Sequence, residues 1–207
     1  MSEPKLREPF IYLASQSPRR RDMLELMHIR LELLVAADDE DVEALETPRA
    51  NESPRAYVRR VTRLKAEAAI DRLHRRELVR APILVGDTTV AVGSTILGKP
   101  TDVDDARRML TLLSGRTHRV LTAIAVADDS RMATALSESR VRFRTIESDE
   151  VDAYIESGEP FGKAGAYAIQ GRAAAFVEHI SGSHSGIVGL PLFETVQLLK
   201  LFGIRPG

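Results

Sequence analysis

A carboxylate set inside an apolar stretch is the first feature of this sequence that calls for chemistry. Gly86-Asp87-Thr88 stands between Ile83-Leu84-Val85 and Val90-Ala91-Val92. An acid among buried strand positions needs a partner or a task, because burying it alone is costly. Asp87 is either a turn residue capping its neighbours, or a metal ligand or general base at a strand end. The second feature is Ser15-Gln16-Ser17-Pro18-Arg19-Arg20-Arg21. A helix N-terminus carries partial positive charge and unsatisfied N–H groups, and it favours Asp or Glu in its first turn. Three arginines stand there instead. Arg21 is read as pointing into water. Arg19 and Arg20 are read as half of an anion site, where backbone N–H groups and the Ser15 and Ser17 hydroxyls converge on a phosphate.

Two lysines and one small-residue stretch complete the candidates. Lys65 falls at i+4 from Val61, beside the inward face of its helix, where it either snorkels to the surface or projects into a cleft. Lys99, in Gly98-Lys99-Pro100, has the same two readings. Gly162-Lys163-Ala164-Gly165-Ala166-Tyr167-Ala168-Ile169-Gln170-Gly171 lets backbone approach another strand or a flat ligand closely. It is not a P-loop, and its glycines do not match the dinucleotide fingerprint. The five histidines, His28, His74, His118, His179 and His184, show no metal spacing and are read as surface or structural.

Composition removes several function classes. The 207 residues carry a formal net charge of -1, too little cationic surplus for a dedicated nucleic-acid binder. That average hides an acidic stretch, residues 32–52, with Asp38, Asp39, Glu40 and Asp41 in a row, followed by a basic one, residues 55–80. Most of these side chains read as solvated faces; the alternative is a site that needs cations for phosphates and carboxylates for a metal. There is no cysteine, which excludes disulfides and thiol catalysis and fits a reducing compartment. No apolar run approaches the ~20 residues that cross a bilayer. Met1 to Phe10 has mixed charge and no apolar core, so no secretory signal and a cytoplasmic location are expected.

The elements that must position these residues alternate between strand and helix. Residues 10–14 read as a buried strand, and Ser17-Pro18 opens a helix to about Met27 with Met23, Leu24 and Met27 inward. Ser53-Pro54 opens a second helix with Tyr57, Val61, Leu64 and Ala68 as its apolar stripe. A strand enters at Pro82 and continues after Asp87, and Gly93-Ser94 turns it toward Thr95-Ile96-Leu97. Thr101 or Asp102 caps a helix with Val103, Ala106, Leu110 and Leu113 inward, stopped by Gly115. Residues 120–127 and 140–144 read as strands, Ser148 as the cap of a short helix, residues 173–180 as strand, and 191–202 as a last helix. The expectation is one α/β domain over residues 1–207 with a mixed sheet flanked by helices.

Taken together, these stretches resemble the Maf family of nucleoside triphosphate pyrophosphatases from about Ile11 to Leu199. The likeness rests on Leu13-Ala14-Ser15-Gln16-Ser17-Pro18-Arg19-Arg20, Asp39-Glu40, the Tyr57 to Ala66 helix, Gly86 to Val90 and Gly98-Lys99-Pro100. It continues through Leu113 to Thr122, Lys163 to Gly171 and Val188 to Leu192. Gly86 departs from a common alanine, and Gly162 stands where an aspartate is usual. The resemblance implies an elongated mixed sheet, two lobes with a central cleft (a Maf/ITPase-like architecture), a homodimer and a house-cleaning role. It implies Asp87 as general base for a water attacking the α-phosphorus, with Mg²⁺, or alternatively Mn²⁺, held by Asp87 and Glu40. Ser15, Ser17, Arg19, Arg20, Lys65, Lys99 and Lys163 are the implied phosphate-binding residues. Arg19, Thr88 and Gln170 match the positions linked to base choice. The late motif with Gln170 matches members acting on dTTP and UTP, and a glutamine amide can accept from N3–H and donate to O4 at once. The alternatives are a 7-methyl-GTP pyrophosphatase and a nucleotide-binding regulator of cell division without turnover.

Overall fold

The apolar runs become the inner strands of one seven-stranded mixed sheet, ordered β2-β1-β3-β5-β6-β7, with β4 paired to β3. The computed structural model describes residues 9–37 and 40–207; Asp38 and Asp39 lie outside the described residues. The strands are β1 (Ile11–Leu13), β2 (Leu31–Leu33), β3 (Ile83–Val92), β4 (Thr95–Leu97), β5 (Thr117–Ala127), β6 (Met132–Phe143) and β7 (Val177–Ser181). The α-helices are α1 (Pro18–Leu26), α2 (Pro54–Arg75), α3 (Val103–Leu113), α4 (Ser148–Glu156), α5 (His184–Val188) and α6 (Leu192–Leu201). β1 pairs parallel with β2 and β3, and every other pairing is antiparallel. The mixed α/β sheet is therefore as the sequence predicts.

Two apolar clusters sit at opposite ends of the long strands. One joins Ile11, Leu13 and Leu24 to Leu84, Ile124, Val126, Leu198 and Leu199. The other joins Leu97, Leu110 and Leu113 to Val120, Phe143, Tyr154 and Phe176. β3 and β5 run through both, and their register holds from Ile83↔Ala127 to Ala91↔Arg119. On its other edge β3 is only partly covered. β1 pairs with it at Ile83 and Leu84, and β4 pairs with it at Val90, Ala91 and Val92. Between these two partners, residues 85–89 have no strand on that side. A cleft opens there, and Asp87 sits at the middle of the gap.

Several local expectations shift when tertiary contacts decide. On α2, Tyr57 and Val61 are buried as expected, together with Val58, Thr62, Ala66 and Ala69. Leu64 and Ala68 are only half-buried, and Ala68 lines the cleft. Val103 is 46% exposed, and Ala106, Met109, Leu110 and Leu113 make the buried face of α3. Asp102 is its N-cap, accepting from the Asp105 N–H. Glu147, not Ser148, caps α4, through a reciprocal capping box with Glu150. Residues 172–176 form a 3-10 turn rather than strand, and β7 begins only at Val177. The run Ala173-Ala174-Ala175 has no branched side chain to prefer an extended backbone. β6 extends back to Met132 because eleven of its residues register with β5, although only its last third alternates cleanly in sequence.

Candidate active site

The cleft encloses about 920 Å³, within the range of small-molecule sites, and Asp87, Lys65 and Glu46 meet on its floor. Asp87 is 8% exposed. The Lys65 Nζ donates to Asp87 Oδ1 at 2.7 Å and to Glu46 Oε1 at 2.7 Å, so one ammonium sits between two carboxylates. Lys65 thus projects into the cleft rather than snorkelling outward. Lys99, on the loop after β4, lies 3.5 Å from the second Glu46 oxygen. Burial pushes the Glu46 carboxyl up, but Lys65 and Lys99 outweigh it and hold it below the usual carboxylate range. A 3-10 turn, Glu43–Glu46, presents Glu46. Two side chains of α2 clamp that turn: Tyr57 Oη donates to the Glu46 carbonyl at 2.8 Å, and Arg60 donates to the Leu45 and Thr47 carbonyls.

Ser17 is the N-cap residue of α1 and Pro18 follows it, but the Ser17 hydroxyl makes no capping bond. The three arginines separate as read from sequence for Arg21, which pairs at the surface with Glu25. Arg19 and Arg20 differ from each other. Arg20 bonds the protein from three nitrogens: Nε to the Gly189 carbonyl at 2.8 Å, Nη1 to Ser15 Oγ at 2.9 Å and Nη2 to Thr88 Oγ1 at 3.4 Å. A Cβ on Gly86 would lie 3.3 Å from Arg20 Nε, from the Ala123 carbonyl oxygen and from Ile124 Cγ2, so this part of β3 is closely packed. Arg19 has a buried Nε with no hydrogen-bond partner among the described residues. Burial lowers its pKa, and the same effect, with Arg19 adding to it, lowers that of Lys163. Two cations poorly compensated by protein, both lining one cleft, make a place for an anion.

The hydroxyl directions around Arg20 follow from counting protons. Thr122 Oγ1 donates to the Gly186 carbonyl at 2.7 Å. It therefore accepts from Thr88 Oγ1, 2.9 Å away, and Thr88 in turn accepts from Arg20. The Thr88 proton points inward along this chain, so Thr88 offers the cleft an acceptor. Ser15 Oγ accepts from Arg20 and from the Ser17 N–H, which leaves its own proton to donate.

Glu40, which the sequence offers as a metal ligand, lines the cleft but is held by arginine. Arg72 Nη2 lies 2.6 Å from Oε2 and Arg72 Nε 3.1 Å from Oε1, with Arg75 Nη2 also 3.1 Å from Oε1. The hydrogen bond from Arg72 holds the Glu40 carboxyl down to about 2. Arg72 is itself 4% exposed and also bonds the Leu34 carbonyl, so this pair fastens the chain beyond β2 onto α2. The carboxylate that the structure brings to Asp87 and Lys65 is Glu46, a residue that sequence reasoning passes over within the acidic stretch. Among the described residues no group of three or more Asp, Glu or His side chains forms a metal cage. Two carboxylates beside a cleft lined with cations are nonetheless the kind of protein share from which Mg²⁺ sites are built, where phosphates and water supply the other ligands. Gln170 is exposed on the cleft wall formed by residues 162–170.

Known proteins resemble this chain over nearly its whole length. A family model described as "Maf-like protein" matches residues 10–202. A protein of Albidiferax ferrireducens named dTTP/UTP pyrophosphatase is 59% identical over 196 residues, 95% of this chain and 98% of its own length. One of the same name from Cupriavidus pinatubonensis is also 59% identical, again over 95% of this chain and 98% of its own. A third, from Burkholderia pseudomallei, is 59% identical over 194 residues, 93% of each chain. Among solved structures, the Staphylococcus aureus Ham1 protein aligns with a TM-score of 0.43 and 13% identity, covering 64% of this chain and 71% of that one.

Proposed function

This chain belongs to the Maf-like family, and from that membership and the cleft we propose that it hydrolyses dTTP and UTP to the monophosphate and pyrophosphate. The observation that carries the mechanism is the Lys65 ammonium 2.7 Å from Asp87, on the uncovered edge of β3. Asp87 takes a proton from water as the water oxygen bonds the α-phosphorus and the bond to the departing pyrophosphate oxygen breaks. Lys65 fixes the Asp87 carboxylate and, with Lys99, Arg19 and Lys163, opposes the charge on the triphosphate. The Ser15 hydroxyl donates to a phosphate oxygen, and Ser17 lies at the same helix terminus. Arg20 acts one step back, holding Ser15, Thr88 and the Gly189 carbonyl in place.

Asp87 and Glu46 would hold Mg²⁺ (or Mn²⁺) together with substrate phosphates, with Glu40 bonded to Arg72 instead. The bound ion would supply charge neutralisation on the phosphate oxygens. No helix among the described residues is long and apolar enough to cross a membrane. The reading is completed by one domain, a cytoplasmic location and a homodimer.

The test is pyrophosphate release from dTTP, UTP, CTP, GTP and 7-methyl-GTP with Mg²⁺. Release from dTTP and UTP, abolished by a chelator, is expected. Turnover confined to 7-methyl-GTP would keep the chemistry and discard the base assignment. Silence across the panel from folded protein would leave a nucleotide-binding regulator.

Gln170 is proposed to pair with the pyrimidine, donating to O4 while accepting from N3–H, and Thr88 offers a further acceptor. Gln170→Glu removes the donor and adds a negative charge. KM for dTTP is expected to rise at least ~10-fold, since tenfold corresponds to one lost hydrogen bond of about 1.4 kcal/mol. Inhibition by pyrophosphate should stay as in the parent. An unchanged ratio of dTTP to CTP turnover would remove Gln170 as the reader of the base.

A further inference from the structure

The cleft wall that carries Lys163 and Gln170 is bent by two consecutive left-handed residues, Gly165 at φ 71° and Ala166 at φ 59°. Glycine adopts this conformation freely and alanine does not. A strained residue of this kind persists only where its surroundings over-determine it. On one side the turn is pinned to β3 and to the loop after β4. The Gly165 N–H donates to the Gly98 carbonyl at 2.9 Å, and a Cβ on Gly165 would come within 2.8 Å of Val90 Cγ1. On the other side the holder is Tyr167, the residue after Ala166.

Tyr167 is buried against the sheet. Its ring meets Phe143 edge-on at 4.9 Å and His118 edge-on at 5.4 Å, and its hydroxyl lies 2.9 Å from His118 Nε2. His118, on β5, is 1% exposed, and the neighbour of its buried Nδ1 is the Arg116 backbone, too poorly aligned for a full hydrogen bond. Burial pushes the His118 pKa down to about 4, so the ring is neutral at pH 7 and one of its nitrogens can accept. A phenylalanine would fill this space between aromatic rings without leaving a buried nitrogen unsatisfied. What the imidazole adds toward the cleft wall is the bond to Tyr167.

We propose that His118 is a positioning residue for nucleotide recognition: through Tyr167 it locks the Gly165–Ala166 turn and so sets where Gln170 and Lys163 meet the base and phosphates. The identity of the ligand rests on the function proposed above; the locking of the turn does not. Tyr154 supports the same wall independently, its hydroxyl accepting from the Ala168 N–H at 3.3 Å and donating to Glu159 at 2.8 Å. Breaking the His118 bond should therefore loosen the turn without melting the whole segment.

The experiment uses His118→Phe in the full chain, with two readouts. Amide exchange in the free protein should accelerate at least ~10-fold at Gly165 and Ala166, with β3 and β5 protected as before. KM for dTTP should rise roughly tenfold with kcat within about threefold of the parent, and the preference for dTTP over CTP should fall. Adding Ala166→Gly, which relieves the backbone strain, should recover most of both losses. If His118→Phe does not fold, Tyr167→Phe breaks the same bond from the other side and is expected to give the same exchange and KM signature. A lowered unfolding midpoint with unchanged exchange at Gly165 and Ala166 and an unchanged dTTP preference would reduce His118 to core filling and overturn the proposal. If the parent protein releases no pyrophosphate from any nucleotide, the functional reading fails, and the exchange data still decide whether His118 holds the turn.

Discussion

Asp87→Asn should lower turnover of dTTP and UTP by about 10²–10⁴-fold, the range that a positioned general base contributes, with nucleotide binding retained. The reason lies in what the substitution leaves in place. Asparagine has the size of aspartate, and its Oδ1 can still accept from the Lys65 Nζ, now 2.7 Å away. Neither β3 nor α2 therefore has to move. What disappears is a group able to take a proton from water, and one negative charge beside the phosphates. KM should stay near the parent value, because the triphosphate meets less repulsion while the metal that Asp87 would help hold is bound less tightly. Steady-state kinetics with titration of a non-hydrolysable dTTP analogue separates the two effects. Turnover within tenfold of the parent would remove Asp87 from the role of base and leave it as a fastener for Lys65.

Much of this site is legible in the amino-acid sequence itself, for reasons that differ between residues. Asp87 stands out as an acid among apolar strand positions, and it lies on the one stretch of β3 with no strand neighbour on the cleft side. Arg19 is legible as a cation at a helix terminus that prefers acids. Residue type alone does not separate it from Arg20, because the difference lies in partners 68 and 169 positions away, Thr88 and Gly189. Glu46 is hidden for the opposite reason. It is one acid among many in residues 32–52, and only the clamp of Tyr57 and Arg60 on its turn delivers it to Lys65. The same clamping logic assigns Glu40 to Arg72, 32 residues on. Local periodicity places α1 to α4 and α6, whose apolar faces are local, and passes over the five-residue α5. It leaves the first two-thirds of β6 unread because that strand is fixed by pairing with β5, not by its own alternation.

Lys65→Met is the second substitution expected to have a large effect, and it tests the arrangement of charge rather than the proton transfer. Methionine keeps most of the aliphatic stem and removes the ammonium, so Asp87 and Glu46 face the same space with no cation between them. Two charges ~4 Å apart interact by about 4 kcal/mol at an effective dielectric of 20. A triphosphate entering beside these two carboxylates, with only Lys99 left on Glu46, meets a repulsion of up to that order, softened further by Arg19 and metal. KM for dTTP should accordingly rise at least ~10²-fold, about 2.7 kcal/mol, and kcat should fall as well because Asp87 loses its anchor. The deciding measurement is the double variant. If Lys65 works by balancing the two carboxylates, Glu46→Gln in the Lys65→Met background removes one repulsive charge and should recover at least ~10-fold in KM. If Lys65 works only by touching a phosphate, removing Glu46 returns nothing. Recovery would make Glu46 a member of the site in its own right, which its neighbours in sequence give no reason to expect.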